Sequence, residues 1–294
     1  MKRAERLHAL TEMLRRNGTR GCTADRLAAE FEVSVRTVKR DLAALATSGA
    51  AVWSRPGPGG GYAAGMTHVL EAASDDDWIV ILDDDGLIGE AQLVTTLADF
   101  GHWLVARGAP VGAVGVAGAR LDRNRGRLDR PRDEELGGPV TIDYVAGNQL
   151  PTIRVAAARH VGVFDAELFF GFDDLDYCLR LARHGFGVYA DGREWLEARR
   201  RHGRLGQSVG RAPRRMSVWR RYYSVRNHIV VMRRYAPWPA AVLVTFELLF
   251  GRPIIDIARR RENVAQLAVV GARACADAWL GRLGRRVEPP AGAP

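Results

Sequence analysis

A glycine-rich run, Pro56-Gly57-Pro58-Gly59-Gly60-Gly61, divides this chain into two stretches with different hydrophobic patterns. Such a run interrupts helical and strand periodicity alike. Before it, apolar residues recur only three or four apart, as in short helices. After it, short apolar runs alternate with helical patterns, which argues for an α/β sheet. A chain of 294 residues accommodates more than one domain. The expected division is 1–62, 63–235 and 236–294, the last being amphipathic helices and a Pro/Gly tail, EPPAGAP.

The first stretch reads as three helices and a hairpin. Leu7, Leu10, Met13 and Leu14 share one helical face, and Asn17-Gly18 ends it. Thr23 can cap a second helix carrying Leu27, Ala28 and Phe31. Ser34 can cap a third, with Val35, Val38, Leu42 and Leu45 inward. Val52 and Trp53 then lead into the glycine-rich turn. Residues 1–62 hold eleven Lys and Arg against six Asp and Glu, a local charge of +5. The third helix places Arg36, Thr37, Lys39 and Arg40 near its start, where a helix-turn-helix reads base edges and phosphates. Arg55, in the hairpin, is positioned to lie along the backbone as a wing. Duplex DNA is the expected partner, through counterion release. The strings MKRAERLHALTEMLRRNG, LAAEFEVSVRTVKRDLAALATSGA and RPGPGGGY resemble the N-terminal winged helix of WYL-type transcriptional regulators. The sensor domain that follows in that family is absent from this sequence.

In the second stretch, a helix through Met66, Val69 and Leu70 precedes a buried strand, WIVIL, which ends in Asp83, Asp84 and Asp85. Carboxylates at a strand end can hold a divalent ion, and the ion a diphosphate. A helix from Leu93 to Val105, a strand VGAVGVAG, a polar loop over 120–139, and a strand TIDYVAG are expected next. Asp173, Asp174 and Asp176 then open a helix that runs to Gly185. Carboxylates at that end are favoured by the helix dipole and can cap the helix or serve as a general base.

These residues carry a second resemblance. WIVILDDDG, VTIDYVAGNQL, VGVFDAELFFGFDDLDYCLRLARHGFGVY and RRYYSVRNHIVVMRRY are similar to family 2 glycosyltransferases of the GT-A fold, over about residues 59–286. Rhamnosyl- and galactofuranosyl-transferases of bacterial cell envelopes are the nearest in pattern. The resemblance implies metal-dependent, inverting transfer of a sugar from a nucleotide sugar to a glycan or polyprenyl-linked acceptor. It implies Mn²⁺ or Mg²⁺ at Asp83 and Asp85, with His202 as a third ligand. It further implies Asp174 as catalytic base with Asp173 as runner-up, and an acceptor site at Gly147 and Asn148. The family's opening strand, of the VSVVIPTYN kind, and its two βα units have no counterpart here. The expected fold is thus an incomplete GT-A type α/β sheet behind a small winged helix-turn-helix and ahead of C-terminal helices. Little or no transferase activity is expected of this chain by itself. The alternatives are a DNA-binding regulator with a degenerate C-terminal domain, and a recombined chain of low stability.

Charge and cysteine content narrow the setting. The net charge is +9, and 41 of the 43 basic residues are Arg. Arg excess fits phosphate-bearing partners and fits Arg-biased codon usage equally. Between Arg199 and Tyr235 there are twelve Arg and no acid, interleaved with Trp219, Tyr222, Tyr223 and Tyr235. Such a segment suits an anionic membrane surface, or single-stranded nucleic acid. Cys22, Cys178 and Cys275 suggest neither a disulfide framework nor a zinc cluster. The N-terminal residues lack the apolar core of a signal peptide, and the charge-free stretch Tyr235–Phe246 is too short to span a bilayer. The expectation is a cytoplasmic protein, with peripheral association at the inner face of the membrane as a further option.

Overall fold

The computed structural model describes residues 6, 7, 9, 10, 13, 24–34, 37, 38, 40, 41, 61–81, 91–146, 149–206, 217–258 and 263–288. In the N-terminal part, helix α1 (Ala24–Glu30) lies between two further helical segments. Leu10, Leu27, Ala28 and Val38, contributed by all three, form one small core. Leu7, Met13, Phe31 and Val33 pack around it. The Ser34 hydroxyl accepts from the Thr37 amide at 3.1 Å, so Ser34 is the cap its position suggested. Arg6 and Asp41, both buried, pair at 2.6 Å and tie the first helical segment to the third.

Helix α2 (Gly61–Ala72) leads to strand β1 (Trp78–Val80). Helix α3 (Ala91–Ala106) and strand β2 (Val111–Gly115) follow. The remaining strands are β3 (Arg120–Asp122), β4 (Arg127–Asp129), β5 (Pro139–Ile142), β6 (Thr152–Arg154) and β7 (Gly187–Asp191). Five strands form one mixed sheet in the order β1-β6-β2-β7-β5, in which only β2 and β7 are parallel. Helices α4 (Val155–Val161), α5 (Asp173–Arg183) and α6 (Gly192–Arg201) complete this unit.

Alternation along the strands sorts the two faces. Ile79, Ala113, Ile153 and Val188 meet α4 and α5 through Ala157, Ala158, Cys178 and Leu181. Trp78, Val80, Val114 and Tyr189 face α3 through Leu97 and Leu104. A Cβ on Gly101 would run into the Trp78 indole, so glycine lets α3 lie directly on β1.

The polar segment 120–139, expected as loop, instead holds the β3–β4 hairpin and a 3-10 turn at Asp133–Glu135. Its strands are too short and too polar to show alternation. What closes the hairpin is Asp122, whose carboxylate accepts from the amides of Asn124 and Arg125. Gly126 follows at φ 65°, and a Cβ there would strike Val244.

The C-terminal helices are α7 (Val218–Tyr235), α8 (Trp238–Phe246), α9 (Arg252–Ala258) and α10 (Val264–Trp279), with a π-helical turn at Glu247–Gly251. Trp219, Tyr222 and Tyr223 are buried against Val270, Ala274 and Ala278 of α10. These rings were expected on a basic surface; they are core instead. The architecture is therefore an N-terminal helix-turn-helix region, a mixed α/β sheet and C-terminal helices.

Candidate functional site

Helix α5 opens under unusual backbone control. Phe169 and Phe172 sit at φ 62° and 66°, and Gly171 at φ 72°. Positive φ is strained for a phenylalanine and persists only where the surroundings enforce it. Two neighbours on α7 do so. The Asn227 amide donates to the carbonyls of Leu168, Phe170 and Gly171 at 2.7, 3.0 and 2.9 Å. Arg226 donates to the carbonyls of Leu168, Glu167 and Gly284. Both side chains are fully buried. The turn is thus moulded by side chains from 55 to 60 residues away in sequence.

The turn delivers three carboxylates with different surroundings. Asp176 is buried and accepts from Arg234 Nη1 and Tyr235 Oη, each at 2.9 Å. Arg234 also holds Asp165 at 2.8 Å. Asp176 therefore fastens α5 to α7. Asp174 accepts from the Tyr144 hydroxyl at 3.1 Å. Burial, then the charge of Asp174 beside it, keeps the Tyr144 hydroxyl protonated well above its usual range. Asp173 is the first residue of the helix.

Asp174 opens on a small pocket otherwise lined by apolar side chains, Cys178 and Tyr177. Ile81, the residue after β1, forms part of that wall. The pocket therefore joins the start of α5 to the end of the strand that runs into the Asp83–Asp85 triplet. Burial pushes the Cys178 thiol up to about 12, so it is a neutral thiol near pH 7 rather than a nucleophile. Tyr177 stacks on Phe164, and its buried hydroxyl has no hydrogen-bond partner among the described residues.

Of the residues singled out in the sequence, Asp173 and Asp174 lie at this site. His202 is elsewhere in the fold, exposed at the C-terminal end of α6. Nearby, Arg199 pairs with Asp133. Asp83, Asp85, Gly147 and Asn148 lie outside the described residues. Among the described residues, no three His, Cys, Asp or Glu side chains converge as a metal ion would need. In the N-terminal region, Thr37 stands in the first turn of the third helical segment and Arg40 is exposed on it. Arg36, Lys39 and Arg55 lie outside the described residues.

Sequence reasoning passed over Tyr144, Arg226 and Asn227. A polar pair between Tyr222, Tyr223, Ile229 and Val230 on an apolar helix face was the available signal for the last two. No local pattern marks Tyr144, whose importance comes from a contact 30 residues away.

Residues 6–63 match the family model of the HTH domain. The chain has no match among curated proteins. The match covers the three helical segments joined by the Leu10–Leu27–Val38 core, and the N-terminal part of this chain is a DNA-binding helix-turn-helix domain.

Proposed function

We propose that this chain joins its DNA-binding domain to a glycosyltransferase-like α/β unit that keeps an acid–base site and lacks its own donor pocket. The reading of the second part rests on one observation. The Asp174 carboxylate, held by Tyr144, stands at a helix start and faces a pocket shared with the end of β1. A carboxylate so placed can accept a proton from an acceptor hydroxyl while the hydroxyl oxygen attacks a sugar carbon. The Tyr144 hydroxyl fixes the position of that carboxylate with a hydrogen bond of 3.1 Å. The resemblance of FDDLDYCLRL and WIVILDDDG to family 2 glycosyltransferases supplies the reaction class. The divalent ion implied for Asp83 and Asp85 would neutralise a departing diphosphate. Both aspartates lie outside the described residues.

Among the described residues, the pocket is small and mostly apolar, with no basic side chain lining it to meet a nucleoside diphosphate. That supports a second reading, in which the α/β unit regulates the DNA-binding domain and transfers nothing. A turnover assay with nucleotide sugars, Mn²⁺ and the full chain separates the two. Transfer lost in Asp174→Asn would establish a working base. Absence of transfer, together with intact DNA binding, would favour the regulator.

A further inference from the structure

Residues 281–288, beyond α10, form no helix or strand, yet they are tied down along their length. The buried Tyr223 hydroxyl donates to the Val287 carbonyl at 2.9 Å. It accepts from the amides of Arg286 and Val287 at 3.0 and 3.1 Å. Leu283 and Val287 pack in one cluster with Leu168, Phe169 and Phe170, from the turn before α5. The Gly284 amide donates to the Glu167 carbonyl at 2.7 Å. Arg226 bridges the two segments. Its Nη1 donates to the Gly284 carbonyl at 2.6 Å, and its Nη2 to the carbonyls of Glu167 and Leu168 at 3.2 and 2.9 Å. Leu283, Gly284 and Val287 are half-buried, while Arg282, Arg285, Arg286 and Glu288 are exposed. The segment therefore lies on the surface with its apolar side down on the turn.

What lies beneath is strained. Phe169 and Phe172 hold φ of 62° and 66°, which a phenylalanine keeps only where its surroundings enforce it. Asn227 enforces it from α7, through the carbonyls of Leu168, Phe170 and Gly171. Residues 281–288 enforce it from the outer side. Were they to lift, the Glu167 carbonyl would lose the Gly284 amide, and Arg226 would lose one acceptor and its cover. Phe169 and Phe170 would lose apolar neighbours in the same step. The strain in the turn would then meet less opposition and the turn would relax. Irregular backbone whose outer side chains are solvated opens at lower free energy than a packed sheet, so this segment can lift while the sheet stays folded.

We propose that residues 281–288 are a releasable strap that holds the strained turn before α5 in place, so that loosening the chain end loosens Asp173 and Asp174. Its bearing on chemistry rests on the base assigned to Asp174, whereas its hold on the turn does not. Amide hydrogen exchange of the full chain, followed by mass spectrometry, reads the turn directly. The Phe169, Phe170 and Asp176 amides report it, being bonded to the carbonyls of Ala166, Leu168 and Phe172. Two variants loosen the strap without emptying the core. Tyr223→Phe keeps the ring and removes the hydroxyl. Gly284→Ala adds a Cβ that meets no neighbour but must adopt φ 74°. In each, exchange should quicken by about tenfold over both 281–288 and 167–176, with α3 and β2 unchanged. Faster exchange confined to 281–288 would overturn the proposal, since the turn would then hold without the strap. Equal quickening in α3 and β2 would also overturn it, because the segment would then be part of the global core. So would unchanged exchange in both variants. The expected exchange pattern in a chain that transfers no sugar would count against the base and leave the strap standing.

Discussion

Arg226 Nε donates to the side-chain oxygen of its own neighbour, Asn227, at 2.9 Å, with both residues buried. That contact fixes which way the Asn227 amide faces. Its nitrogen then points at the turn before α5, where it meets three carbonyls. The guanidinium supplies the neighbouring carbonyls and packs over the Tyr223 ring. Adjacent residues of a helix rarely share one target, yet here they jointly set the backbone that presents Asp173 and Asp174.

Asn227→Leu removes the amide donor from under three carbonyls; that of Leu168 keeps Arg226, while those of Phe170 and Gly171 lose a donor in a half-buried place. A loss of about 2 kcal/mol is expected, since a polar group left unpaired costs about 1–3 kcal/mol when buried and less when water can reach it. Urea denaturation of the full chain measures it. The Tyr144–Asp174 contact should weaken in the same variant, because the turn that positions Asp174 loses its template.

Tyr144 and Asp174 should be energetically coupled. A double-mutant cycle with Tyr144→Phe and Asp174→Asn is expected to give about 1.5–3 kcal/mol, the range of a hydrogen bond to a charged group. Additive effects of the two substitutions would mean that the contact stabilises nothing.

His228 should make stability depend on pH. Its ring donates Nε2–H to the Gly126 carbonyl at 2.8 Å and stacks on Phe172, so the neutral form holds the β3–β4 turn against α7. Burial lowers its pKa from the ordinary 6.5, against the opposing pull of the Gly126 carbonyl and Glu247. The unfolded chain therefore binds this proton more readily than the folded one. The stabilisation is complete above pH 6.5 and is lost as pH falls through the lowered folded value. His228→Gln keeps a donor without titrating. The melting-temperature difference between wild type and this variant should move against wild type between neutral pH and about pH 5.

The buried pair Arg6–Asp41 should govern the stability of the N-terminal domain. Asp41→Ala leaves a guanidinium buried without its carboxylate and is expected to cost about 3–5 kcal/mol. Such a loss approaches the whole stability of a domain this small. Loss of DNA binding at moderate temperature, with the α/β unit still folded by near-UV circular dichroism, is the expected result.

Much of this fold could be read from the sequence wherever a face was one-sided. Leu10, Leu27 and Val38 mark three helices because each lies on a single apolar stripe. Ile79, Ala113 and Cys178 reveal their elements in the same way. The β3–β4 hairpin could not be read, because its order comes from the Asp122 turn rather than from burial. Trp219, Tyr222 and Tyr223 misled because rings among arginines look like a surface. Here Arg226 is itself buried, and Arg221 pairs with buried Asp256. The candidate site was half legible. The carboxylates of FDDLDY are visible as a string, while Tyr144 and the Arg226–Asn227 clamp reach it only through tertiary contacts.

DNA binding is the claim most directly open to measurement, through the salt dependence of duplex affinity for the full chain and for Arg36→Ala/Arg40→Ala. Log affinity should fall steeply with log salt in wild type. The double variant should bind more weakly, with a slope shallower by about two if both arginines contact phosphate. A flat salt response, or equal slopes and affinities for the two proteins, would contradict it.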